Sequence, residues 1–191
     1  MVAPFGGLRE WGLRRRCRSL LRDLDVPAPL NVHDLCRRLG ESRGRPIELY
    51  EYPIEVPGPF GLWFNLRDRD AIFYQQESVP WHQDHIVLHE LGHLLCEHPS
   101  DTGIVDSATD AIRRNPPAGL KWDTTEDEGG DNGDVGRRRR TCYDDRYERE
   151  AELCATIIQE WSSVLTADPT PISDPGEQRI SESLTHHQGW R

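Results

Sequence analysis

His89, Glu90 and His93 are the residues of this chain best suited to do chemistry, in the run His89-Glu90-Leu91-Gly92-His93. On a helix, positions i and i+4 leave one face about a turn apart, so the two imidazoles point the same way. Nitrogens so placed can share a tetrahedral zinc ion at roughly 2.0–2.1 Å. Glu90, one residue on, stands to the side, where its carboxylate reaches a water at the metal rather than the metal itself. The run thus offers two ligands and a general base for hydrolysis. Composition alone gives about 0.03 chance occurrences of such a run in this chain. The competing reading is a pair of core histidines satisfied by hydrogen bonds, with Glu90 exposed.

A catalytic zinc keeps one position open, so one more carboxylate, His or Cys must arrive from elsewhere. Glu148, Glu150 and Glu152 lie on a late helical stretch. Glu148 shares a stripe with Ala151, Glu152 and Ala155, and two alanines facing Gly92 let two backbones approach closely. Glu150 points about 200° away from Glu148, so the two cannot both face one ion. Glu148 is the expected third ligand. Glu152, one turn later, is the expected outer acceptor that orients a ligand imidazole. His85, one turn before His89, is a second outer candidate.

The elements that must position these groups follow from periodicity and punctuation. Leu8, Trp11, Leu13, Cys17, Leu20, Leu21 and Leu24 recur at helical spacing and predict a helix over 8–24. A short helix runs from an Asn31 cap to Arg38, with Gly40 as its stop. Three strand-like runs follow, Ile47–Tyr52, Leu62–Leu66 and Ala71–Gln75. Ser78 as cap and Pro80 in the first turn open the His89 helix, which is apolar on most of its circumference and must end before Pro99. Residues 99–141 read as loop, mobile over about 115–140. A last helix starts near Asp144 or Asp145 and stops before Pro169, with a tail over 168–191. The expected architecture is α+β: N-terminal helices, a small antiparallel sheet of about three strands, and a buried histidine helix packed on a C-terminal glutamate-bearing helix. Residues 1–167 form one domain.

On these residues the chain resembles the ImmA/IrrE family of metallopeptidases, small HEXXH enzymes of the gluzincin type. The matching segments are His89–His93 followed by Leu94-Leu95, and Glu148-Arg-Glu150-Ala-Glu152-Leu-Cys-Ala155. The family usually reads E-x-E-A-N-x-F-A in the second. Glu152 and Cys154 stand where the family has Asn and Phe. The resemblance covers roughly residues 8–165. It implies one Zn²⁺ per chain on His89, His93 and Glu148, and peptide-bond hydrolysis with Glu90 as base. It also implies a protein partner, a helix-turn-helix (XRE-like) repressor that is cleaved or inactivated. Some members are catalogued in toxin–antitoxin-like pairs. The alternative is a non-catalytic module that sequesters such a partner.

The remaining candidates are weaker. Tyr143 and Tyr147 precede or open the glutamate helix and are candidate donors to the substrate oxyanion, against simple aromatic packing. His82 and His98 are expected to face solvent near the helix ends, and Cys96 to be a small core residue. His186 and His187 fall in the tail, and Arg137–Arg140 read as solvated surface. The 191 residues carry 23 Lys+Arg against 33 Asp+Glu, a formal charge of −10. That balance argues against binding nucleic acid or anionic lipid, both of which need a basic face. No apolar run is long enough to span a bilayer. Five cysteines without a C-x-x-C pair fit reduced thiols in a cytoplasm.

Overall fold

The computed structural model describes residues 5–100, 107–120 and 145–166, with side chains described from 10 to 161 within those ranges. Tyr143, Cys142, Arg137–Arg140, His186, His187 and the 168–191 tail lie outside the described residues. The elements run α1 (Phe5–Asp23), α2 (Val32–Arg43), β1 (Ile47–Tyr52), β2 (Gly61–Asn65), β3 (Asp70–Gln75), α3 (Pro80–Leu95), α4 (Ser107–Arg114) and α5 (Asp145–Thr166). The fold is α+β, with N-terminal helices and one small sheet. Among the described residues no helix is long and apolar enough to cross a membrane.

The sheet is mixed, not antiparallel. Its order is β1-β3-β2, with β3 parallel to β1 and antiparallel to β2. Residues 53–60, broken by Pro57 and Pro59, carry the chain past a neighbouring position that β3 later fills. Only the β2–β3 link, Leu66 to Arg69, is a tight hairpin turn. Side chains alternate across the pleat. Leu62, Phe64, Ala71 and Phe73 face one side, with Ile112 and Leu120; Trp63, Ile72 and Tyr74 face the other, with Val87 and Leu91. β3 is therefore apolar almost throughout because both of its faces are covered. Being central, β3 presents no free edge to a substrate strand.

Asp70, the first residue of β3, is fully buried and holds three donors. Arg43 Nη1 donates at 2.9 Å, Arg45 Nε at 3.1 Å and Trp63 Nε1 at 3.1 Å. This carboxylate ties the end of α2 and the α2–β1 turn to the sheet. The helix caps differ in detail from the sequence reading. Asn31 does cap α2, accepting from the Asp34 N–H at 2.9 Å. Gly40, however, is buried inside α2, and Gly44 at φ 64° ends it. α3 begins at Pro80 with Val79 rather than Ser78 at its cap. Trp11 is 61% exposed, because it lies about 100° around α1 from the buried Cys17–Leu21 stripe.

The segment expected to be loop contains α4, whose Ala108 and Ile112, one turn apart, bury on the outer face of the sheet. Leu120 packs in the same cluster, so residues 115–120 are anchored, while 121–140 lie outside the described residues. On the opposite face α3 lies against β2 and β3, α5 packs on α3, and α1 packs on α5. That stack puts α3 between the sheet and α5.

Candidate metal centre

Proline at the first position of α3 fixes φ and removes a donor that would have no helical partner there. Ile86, Val87, Leu88, Leu91 and Leu94 bury the helix, leaving His89 and His93 half-buried on the side toward α5. α5 approaches where neither helix has a bulky side chain. A Cβ added at Gly92 would stand 2.6 Å from Ala151 O and 2.8 Å from Ala151 Cα. Ala151 and Ala155 are both fully buried. This close contact brings the first turn of α5, and Glu148 on it, to the imidazole pair. An acidic residue in that turn also suits the positive end of the helix dipole.

Three side chains converge. His89 Nε2 and His93 Nε2 are 3.1 Å apart, and Glu148 Oε2 is 3.1 Å from His89 Nε2. Glu148 Oε1 is 3.6 Å from His93 Nε2, so one carboxylate spans both rings. Bonds of 2.0–2.1 Å in a tetrahedron imply ligand-to-ligand edges of about 3.3 Å. The two 3.1 Å spacings lie near that value, and the donor set of two imidazoles and one carboxylate can hold a metal ion. The electrostatics agree. Burial would raise the Glu148 carboxyl, but hydrogen bonds from His89 and His93 outweigh it and hold the group at about 2. Burial likewise depresses His89, yet the Glu148 bond and the charges of Glu90 and Glu148 raise it overall. A cation between these groups satisfies two nitrogen lone pairs and an anionic oxygen together.

The far sides of the rings are also occupied. Glu152 Oε2 lies 3.4 Å from His89 Nδ1 and 3.1 Å from His85 Nε2, and His85 Nδ1 is 3.4 Å from Gln159 Oε1. Glu90 is buried, its carboxylate pressed against β2: a Cβ on Gly61 would come within 2.6 Å of Glu90 Oε1. Glycine at 61 is what gives that carboxylate room.

His98 departs from expectation. It is only 5% exposed, with Nδ1 3.1 Å from His93 Nδ1 and Nε2 3.2 Å from Glu150 Oε2. Its burial follows from how α3 ends. The His98 N–H reaches His93 O at 3.0 Å, the Glu97 N–H reaches Leu94 O at 3.2 Å, and Glu97 has φ 56°. This is a Schellman turn, which folds the second residue past the C-cap, Cys96, back onto the third residue from the helix end. Here those residues are His98 and His93. The turn usually has glycine where this chain has Glu97, and that substitution hides the signal in the sequence. Burial lowers the His98 pKa, favouring a neutral ring.

Tyr147 lies over His98, with ring centroids 4.5 Å apart, rather than being brought to the His89–Glu148 group. His82 packs against Phe60. Cys96 Sγ is 3.7 Å from Cys154 Sγ, which is 3.8 Å from Cys17 Sγ, all as free thiols. Cys96, His98 and Glu150 form a second group whose ligand-type atoms lie within 4.8 Å of one another. Comparison with protein-family models, with curated proteins and with solved structures finds no match for this chain.

Proposed function

We propose that this chain is a zinc-dependent endopeptidase of the ImmA/IrrE kind, acting on a helix-turn-helix repressor-type partner. The observation that carries the reading is the convergence of His89 Nε2 and His93 Nε2, 3.1 Å apart, on the Glu148 carboxylate, whose two oxygens lie 3.1 and 3.6 Å from them. Three protein ligands leave a fourth position for solvent, which a purely structural site would close. When bound there, zinc supplies Lewis acidity, lowering the pKa of water toward about 7 and polarising a carbonyl.

The chain's own residues supply the rest. Glu90, adjacent to His89 and walled by Gly61, accepts the proton of the attacking water and returns it to the leaving amine nitrogen. Glu152 orients the His89 ring through Nδ1. Burial of Glu90 keeps bulk water from competing for its carboxylate.

The test is Glu90→Gln. Zinc uptake should remain at one per chain, while cleavage of a co-expressed helix-turn-helix partner, read by intact mass, falls by about 10²–10⁴-fold. Fragments that persist with Glu90→Gln refute the base assignment. An intact partner that co-purifies tightly with wild type supports sequestration instead.

A further inference from the structure

We infer that His98 and Glu150 form a relay that fixes the tautomer and orientation of the metal ligand His93. The inference rests on the proposed metal centre and adds two positioning residues to it. If His93 gives its Nε2 lone pair to the ion, its proton must sit on Nδ1. The atom facing Nδ1 at 3.1 Å is His98 Nδ1, which must then accept. His98 in turn carries its proton on Nε2 and donates it to Glu150 Oε2 at 3.2 Å. Each bond requires the next, and the chain ends on a carboxylate, which needs no further proton.

The positions are built into the fold. His98 is buried and seated by the Schellman turn, and Tyr147 covers its ring. Glu150 stands about 200° around α5 from Glu148, so one helix supplies a ligand on one side and a relay terminus on the other. A ligand imidazole with an ordered partner on its second nitrogen binds metal about 10–100-fold more tightly than one without.

The same geometry argues against a second metal on Cys96, His98 and Glu150. A cation there would take the His98 Nε2 lone pair that faces Glu150 and leave a proton on Nδ1. Two N–H groups would then meet across 3.1 Å, since His93 Nδ1 is already protonated when the first site is filled. The group works as hydrogen-bonded support, with one ion per chain.

The test uses zinc itself, with full-length protein. Asparagine places an oxygen near the position of histidine Nδ1, whereas leucine fills the space without an acceptor. His98→Leu should weaken zinc binding about 10–100-fold by chelator competition, and His98→Asn should stay within about threefold of wild type. Long-range ¹H–¹⁵N spectra of the zinc-loaded wild type should show the proton on Nδ1 of His93 and on Nε2 of His98. Any of three results overturns the relay. They are a folded His98→Leu with wild-type zinc affinity, a proton on His98 Nδ1, and a second zinc lost in Cys96→Ser. A wild-type chain that takes up no zinc overturns the metal centre itself and the relay with it. A failed relay alone leaves wild-type zinc binding and the loss of cleavage in Glu90→Gln intact.

Discussion

Adding one methyl group at Gly92 should open the metal centre without touching a ligand. In Gly92→Ala the new Cβ would stand 2.6, 2.8 and 3.1 Å from the O, Cα and C atoms of Ala151. All three are backbone atoms, so no side-chain rotation relieves the clash. Ordinary contact starts at 3.4 Å, and α3 and α5 must part locally by about 0.8 Å to reach it. Glu148 rides on α5, so its 3.1 and 3.6 Å spacings to the imidazoles would stretch toward about 4 Å, whereas metal–ligand distances tolerate only about 0.2 Å. Overpacking of this kind costs about 1–3 kcal/mol. In a chain of this size that lowers Tm by about 2–10 °C in the metal-free state. The same strain in the centre weakens zinc binding by about tenfold or more. Thermal melts with and without zinc, and chelator competition, measure both effects. Ala151→Gly should not rescue the variant, because the atoms struck belong to the backbone. Wild-type Tm and zinc affinity in Gly92→Ala would refute the close-approach argument.

Gly61→Ala should displace the Glu90 carboxylate and lower cleavage about 10–100-fold, while zinc affinity stays within about threefold, as kinetics and chelator competition would show. Asp70→Ala strips the shared acceptor from Arg43, Arg45 and Trp63, and should cost about 3–5 kcal/mol by denaturant titration. In the metal-free protein, the low folded value of Glu148 contributes stability above its unfolded value of 4.5, lost as pH falls through about 2. The raised His89 value contributes below 6.5 and is lost as pH rises through its folded value. The stability difference between wild type and Glu148→Gln should therefore peak in mildly acidic solution and vanish below about pH 2, as pH-dependent melts would show.

The parts of the fold that were legible in the sequence are those set by local chemistry. Asn31 announced α2, the β1 bounds were readable from the residues alone, and Pro80 marked the start of α3. The grouping of His89, His93 and Glu148 was legible because an i, i+4 pair and an alanine-lined stripe each restrict which face can be shared. What escaped was set by distant partners. Nothing within 53–60 says that β3 will slip between β1 and β2. The short α4 has one apolar pair amid polar neighbours, and its partners lie on a sheet some forty residues earlier. The burial of His98 is hidden in the sequence because Glu97 adopts a left-handed conformation that a sequence advertises only when glycine stands there.

His89 and the carboxylate it faces, that of Glu148, are separated by 59 residues along the chain. During synthesis His89 and His93 leave the ribosome well before Glu148, and for that interval a nascent chain has only two of the three donors. It can neither retain an ion firmly nor carry out any chemistry that depends on one. Completion of the three-donor group is thereby tied to translation through α5, and a product that stops short of that helix should hold a metal ion only weakly.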